Sequence, residues 1–120
     1  MTDRQPRDKG QETEDTACAY LERHGLRCVA RNYRSRRGEI DLIMRDGDEL
    51  VFVEVRYRRQ TFWGEAAATV TRSKQRRLIA AADHFLQRRQ LDCPCRFDVL
   101  AFDGERIEWI VNAIDDCQGH

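Results

Sequence analysis

The stretch Glu49-Leu50-Val51-Phe52-Val53-Glu54-Val55-Arg56-Tyr57-Arg58 decides the architecture. Side chains alternate along a strand, so Val51, Val53, Val55 and Tyr57 share one wholly apolar face. The other face begins with Leu50 and Phe52 and then turns abruptly to Glu54, Arg56 and Arg58. A strand apolar on both sides at its start is a central strand, covered on both faces. Its far end carries charge toward a place where charge is costly unless paired or bound to a metal. The same segment therefore predicts a layered fold and marks a candidate site.

Working outward, the preceding segment Glu39–Met44 reads as a second strand. Ile40, Leu42 and Met44 share one face, and Glu39 and Asp41 share the other. Between the two strands, Arg45–Asp48 is a tight hairpin in which Gly47 supplies the unusual backbone angles. A turn at Gly47-Asp48 sets Asp41 directly opposite Glu54, whereas a turn at Asp46-Gly47 makes them diagonal neighbours. Either register leaves their Cβ atoms about 5–8 Å apart, close enough to share one cation. Two carboxylates at that range repel each other. Mg²⁺, which uses one or two carboxylates plus waters and phosphate oxygens, would relieve the repulsion. The same pattern also suits cross-strand salt bridges among Glu39, Glu54, Arg56 and Arg58 on an exposed sheet end.

The remaining elements follow from periodicity and punctuation. A helix is expected over Thr13–His24, capped by Thr13 and stopped at Gly25, with Ala17, Tyr20 and Leu21 as its apolar stripe. Glu14 extends that stripe. A strand over Leu26–Tyr33 precedes the hairpin. A mobile loop holding Phe62-Trp63-Gly64 follows it. The second helix runs over Thr71–Arg89 with Leu78, Ala82, Phe85 and Leu86 inward, and puts Lys74 in its first turn. Two strands, Arg96–Phe102 and Arg106–Asn112, turn at Asp103-Gly104. The order is helix, three-strand meander, helix, two strands, an α/β fold with a mixed central sheet and a crossover after residue 58.

At 120 residues the chain suits one domain, here 13–116, behind a polar and disordered tail over 1–12. Nothing approaches the ~20 consecutive apolar residues of a membrane span, and the N-terminus lacks the apolar core of a secretory signal. A cytoplasmic protein is the expectation. Five cysteines in no disulfide-like spacing fit reduced, small apolar residues. Cys93-Pro94-Cys95 has no second pair to complete a zinc site. Net charge is zero, but the charges segregate: residues 23–37 hold six arginines and no acid, while 98–116 hold six acids and only Arg106. Such segregation can create a local anion-binding face on a neutral molecule. An ordinary solvated surface would look the same.

Three runs carry a resemblance: Arg31-Asn32-Tyr33-Arg34, Gly38-Glu39-Ile40-Asp41-Leu42-Ile43, and Val51-Phe52-Val53-Glu54-Val55-Arg56. Phe62 and Gly64, Val70 to Arg77, and Arg96-Phe97-Asp98-Val99 continue it. Together, over roughly residues 13–114, they resemble the YraN-type family of small bacterial proteins. That family is similar to the restriction-endonuclease-like superfamily, nearest to archaeal Holliday-junction resolvases. The resemblance implies a restriction-endonuclease-like fold and an acid followed by a Glu-x-Lys signature. Asp41 and Glu54 take the two acidic positions as metal ligands. Glu14 resembles the helix-borne acid of the resolvase branch, and Glu39 an outer partner. Arg56 stands where the signature has Lys. Arginine steadies negative charge but stays protonated at physiological pH and accepts no proton. Lys74 is the candidate substitute.

Three functions follow as expectations. The first is a Mg²⁺- or Mn²⁺-dependent endonuclease hydrolysing phosphodiester bonds of DNA, branched or junction DNA included. Asp41, Glu54, Arg56 and Lys74 would be catalytic, and Asp41, Glu54, Glu14 and Glu39 the metal set. Arg31, Arg34, Arg36, Arg37, Arg58, Arg72, Gln75, Arg76 and Arg77 would grip nucleic acid. Phe62 and Trp63 would stack on bases or simply pack their loop. The second is a nucleic-acid-binding module that kept the fold and lost cleavage. The third is an interaction protein docking on a repair or processing complex. A homodimer is what the resolvase resemblance implies.

Overall fold

The computed structural model describes residues 9–58, 70–104 and 106–114. Its elements are α1 (Lys9–Arg23), β1 (Arg27–Arg34), β2 (Glu39–Asp46), β3 (Glu49–Arg58), α2 (Arg72–Arg89), β4 (Cys95–Asp103) and β5 (Arg106–Ile110). They form one five-stranded sheet in the order β1-β2-β3-β4-β5. Only β3 and β4 run parallel, joined through α2, and the other neighbours are antiparallel. This is the mixed α/β arrangement expected from the sequence. No helix among the described residues is long and apolar enough to cross a membrane.

The alternation of β3 sorts the core into two layers. Val51 and Val53 join Leu42, Met44, Leu100 and Phe102 beneath Ala17, Cys18 and Leu21 of α1. Leu50 and Phe52 join Ile43, Phe97 and Val99 beneath Leu78, Ala81, Ala82 and Phe85 of α2. Leu86, expected inward, is only partly buried, and Ala81 takes the buried position instead. Cys93 and Cys95 pack against the α2 layer as small apolar residues. Covered on both sides, β3 is buried at its start, as a strand apolar on both faces must be.

The first helix begins at Lys9 rather than Thr13, so Thr13 lies inside the helix and is not its cap. The polar run that looks like a tail is rich in Lys, Gln and Glu, which are good helix formers whatever their polarity. Residues 1–8 of the expected tail lie outside the described residues. The stop at Gly25 is as expected. Its φ of 96° and the bond from Leu26 N to Leu21 O at 3.1 Å close the helix in the left-handed manner.

The hairpin turns at Gly47-Asp48, with Gly47 at φ 63°. Pairing runs from Asp46↔Glu49 to Leu42↔Val53, which is the register that aligns Asp41 with Glu54. The ladder ends there. One expectation fails at this point: Ile40 does not stay with Leu42 and Met44 but packs into the α2 layer. Just beyond the last pair, the Asp41 carboxylate accepts the Val55 amide at 2.8 Å, in place of a backbone carbonyl. Ile40 lies beyond the last β2–β3 pair, where the hydrogen bond to the Asp41 side chain replaces the ladder.

Two further contacts fix the frame. Gly38 is buried, and a Cβ there would lie 2.0 Å from the Arg77 carbonyl oxygen. Only glycine lets the β1–β2 loop reach the α2 backbone. Ser35 N donates to Gly38 O at 2.8 Å to shape that loop. In β4, paired with Val53 of β3, Asp98 is fully buried. It accepts from Arg96 Nε at 3.1 and 3.2 Å, Trp109 Nε1 at 3.0 Å and Asn112 N at 2.8 Å. Arg96 also holds Asp46 at 3.2 Å and Glu49 at 3.0 Å, tying the hairpin to β4.

Gly38→Ala should lower stability by about 1–3 kcal/mol or more, since backbone rather than a flexible side chain must move. Urea unfolding measures this, and an unchanged midpoint would refute the close contact. Asp98→Ala should cost about 3–5 kcal/mol, because Arg96, Trp109 and Asn112 lose a buried partner together. A loss below about 1 kcal/mol would mean that solvent replaces the carboxylate.

Candidate metal and phosphate site

Where β2 and β3 part, a cleft of about 330 Å³ opens between the sheet end and both helices. The hairpin contributes Glu39, Asp41, Glu54, Arg56 and Tyr57, α1 contributes Thr13 and Glu14, and α2 contributes Lys74, Arg77 and Leu78. All four acids considered from the sequence as metal ligands thus line one cavity.

The two central carboxylates live in different surroundings. Glu54 is 8% exposed. Its Oε2 receives Lys74 Nζ at 3.3 Å and faces Arg56 Nη1 at 3.6 Å. Asp41 instead has acids for neighbours. Burial, then the charge of Glu54, then Glu14 push its pKa up from 3.8 to about 7, against the lowering effect of the Val55 amide. The cleft therefore joins a carboxylate matched by cations to one crowded by like charge.

Lys74 reaches this place through the start of α2. Thr71 Oγ1 accepts the Lys74 amide at 3.1 Å, which caps the helix as its sequence predicts. The first turn of α2 contains no acid, so no local carboxylate competes with Glu54 for the ammonium.

The donors suit a hard divalent cation. Asp41, Glu54 and Glu14 offer only oxygen, the ligand type of Mg²⁺ and Mn²⁺, and no soft ligand lines the cleft. Among the described residues no group of three His, Cys, Asp or Glu side chains is gathered as a ready cage. The fit is to an ion held by one or two carboxylates, with the rest of its shell left to water and a bound oxyanion.

The arginines expected to grip nucleic acid do not gather in one place. Arg77 lines the cleft. Arg34 pairs with Glu39 at 3.5 Å, both well exposed. Arg36 and Arg37 lie in the β1–β2 loop beside the middle of α2. Arg72 and Arg76 are exposed on α2 but do not line the cleft. Arg31 is tied to Asp15 of α1, away from it. Gln75 is engaged elsewhere, its side-chain nitrogen donating to Val70 O at 2.9 Å just before the helix. The Arg58 side chain, Phe62 and Trp63 lie outside what is described.

Thr13 and Tyr57 line the cleft without having been singled out from the sequence. Alternation puts Tyr57 on the apolar face of β3, yet it is 49% exposed. Its place at the strand end, beside Arg56 and Arg58, is the signal that could have found it. Thr13 was assigned to a cap, and its place one residue before Glu14 becomes informative only once the helix start is known.

The model of the Uncharacterised protein family UPF0102 matches residues 13–102. The chain belongs to the UPF0102 family. Its motifs are those of the YraN-type resemblance drawn from the sequence. A UPF0102 protein of Shewanella loihica is 51% identical over 113 residues, covering 94% of this chain and 99% of the relative. One of Dechloromonas aromatica is 54% identical over 105 residues, covering 88% and 87%. One of Pseudomonas aeruginosa is 48% identical over 124 residues, covering 96% and 99%. The UPF0102 match includes every residue that lines the cleft.

The pKa of Asp41 makes a stability prediction with a definite sign. A carboxyl raised to about 7 from an ordinary 3.8 favours the folded state fully below pH 3.8 and loses that advantage as pH rises through about 7. In metal-free buffer, the melting temperature of Asp41→Asn should gain on wild type as pH rises from 3.8 to about 7, since asparagine accepts the Val55 amide without ionising. A pH-independent difference would show that Asp41 ionises in the ordinary carboxylate range.

Proposed function

We propose that this chain is a divalent-metal-dependent endonuclease that hydrolyses DNA phosphodiester bonds in the cleft between β2, β3 and α2. The observation that carries this reading is the convergence of Asp41, Glu54 and Lys74 on one cavity, with Lys74 Nζ 3.3 Å from Glu54 Oε2. Two carboxylates and a lysine are the groups that the restriction-endonuclease-like signature combines. Here the lysine comes from a helix instead of the strand that carries Glu54.

Asp41 and Glu54 would hold Mg²⁺ or Mn²⁺, with Glu14 beside Asp41 and Glu39 at the rim. The ion supplies Lewis acidity toward a phosphate oxygen and lowers the pKa of a bound water. Lys74 gives the cleft the one cationic group there able to exchange a proton and remain compact. Its ammonium, now on Glu54, is positioned to donate to a phosphate oxygen or to orient an attacking water. Arg56 and Arg77 stay charged at any working pH and steady the charge that builds on phosphorus. Leu78 and Val55 form the apolar side of the cleft, where water is less able to screen these charges.

A second reading keeps DNA binding without cleavage. It is favoured by the pairing of Glu54 with both Lys74 and Arg56, which neutralises the carboxylate without any metal. The resolvase resemblance makes branched DNA the first substrate to try, with a linear duplex beside it.

With Mn²⁺ present, wild type should nick or cut DNA, and Glu54→Gln and Asp41→Ala should fall by at least about a hundredfold. Lys74→Met should lose about 10²–10³ in rate while keeping its response to metal. Mg²⁺ or Mn²⁺ should raise the melting temperature of wild type but not of Glu54→Gln. Equal product from Asp41→Ala would trace cleavage to a contaminant. Salt-sensitive DNA binding with neither cleavage nor a metal response would establish the second reading.

A further inference from the structure

Three hollows follow one another along α2. The carboxylate cleft takes Lys74, Arg77 and Leu78 from that helix. The next takes Ala80, Asp83, His84 and Gln87, with Arg36 and Arg37 opposite them on the β1–β2 loop. The third takes His84, Phe85, Arg88 and Arg89, with Tyr33 and Arg34 opposite on β1. They follow one another in the order of the helix residues, and His84 lines both of the last two.

Cations line every hollow. Asp83 is the one acid lining the second and third hollows among the described residues. Arg36, Arg37 and Arg88 are exposed and form no ion pair among the described residues. Exposed arginines are often only a solvated surface, but here the scaffold beneath them is stiff. Tyr33 Oη lies 2.5 Å from His84 Nδ1, locking β1 to α2 between the two hollows. The Arg89 guanidinium lies over the Phe85 ring, 4.7 Å from its centroid. The Gly38 contact with Arg77 holds the loop that carries Arg36 and Arg37 against the same helix.

The spacing suits a polyanionic strand. From Lys74 to Arg88 the helix advances about 21 Å at its ordinary rise. One DNA strand places a phosphate about every 3.4 Å along the axis, so that length corresponds to about six phosphates. We infer that a DNA duplex engaged at the carboxylate cleft continues along α2. Its backbone rests first on Arg36 and Arg37, and then on Arg88 and Arg89. This rests on the nuclease reading, and adds to it the direction in which the substrate leaves the cleft. Arg88 and Arg89 join the binding surface, and Arg31, tied to Asp15, drops out of it.

The test is binding of the full chain to a fluorescent duplex of about 20 base pairs in EDTA, followed by anisotropy across a salt series. Arg36→Ala/Arg37→Ala and Arg88→Ala/Arg89→Ala are compared with wild type. Arg23→Ala/Arg27→Ala, on and just after α1, removes the same charge away from the track. Each track variant should weaken binding about tenfold or more near 150 mM salt. Each should also flatten the log–log salt slope by about 2, while the α1 variant keeps both close to wild type. Unfolding midpoints verify each fold, and Arg88→Ala alone replaces its pair if removing Arg89 from Phe85 loosens the helix end. Track variants indistinguishable from the α1 variant would overturn the inference and leave the nuclease reading standing. No duplex binding by wild type would also overturn it, while the cleavage assay with Asp41→Ala decides the nuclease reading separately.

Discussion

The Val55 amide sits just past the last ladder pair between β2 and β3, and its acceptor is the side-chain oxygen of Asp41. A carboxylate in that role does two things a carbonyl cannot. It ends the pairing, so the strands part and a cavity forms at the sheet end. It also brings a second acid to the place where Glu54 is already almost fully buried. The helices then close the cavity, α1 with Glu14 and α2 with Lys74. Backbone satisfaction and site assembly are one event here, because a buried amide left without a partner would itself cost about 1–3 kcal/mol.

The electrostatics that result are uneven by construction. Glu54 is flanked by Lys74 and Arg56, whereas Asp41 is flanked by Glu54 and Glu14. Burial and the neighbouring acids raise the pKa of Asp41, and perturbed carboxyls of this kind cluster at functional sites. The other buried acid, Asp98, has no such tension. Asp98 accepts from Arg96, Trp109 and Asn112, and through Arg96 the hairpin, β4 and the segment after β5 are tied together. Its burial reads as architecture.

Much of this was legible in the chain. The bounds of β3 follow directly from its alternation, and the Thr71 cap fixes the start of α2 and hence the place of Lys74. Other features were hidden for physical reasons. Ile40 obeys alternation in sequence but packs into the other layer, beyond the point where β2 and β3 stop pairing. Thr13 looks like a cap because capping preference is local, while α1 is held by packing of Ala17 and Leu21 further along. The engagement of Gln75 with Val70, and of Arg31 with Asp15, depends on where the chain returns in three dimensions. No local pattern reports that. Asp98 stood out only as part of a family motif, since a lone acid in a strand gives no sign of the three donors that surround it.

The lysine of this cleft rides on α2, while both central carboxylates belong to the hairpin. A hairpin excised from the protein would keep its acids and lose the ammonium that faces them. The ammonium's position is set by the packing of Leu78, Ala82 and Phe85 on the sheet and by the contact between Gly38 and Arg77. The helix thus acts as a lever: a slide of one side-chain width along its axis would withdraw Lys74 from Glu54 without altering any residue of the cleft. The cleft is a property of the assembled tertiary structure, and a chain that has paired its strands but not yet seated its second helix would lack it.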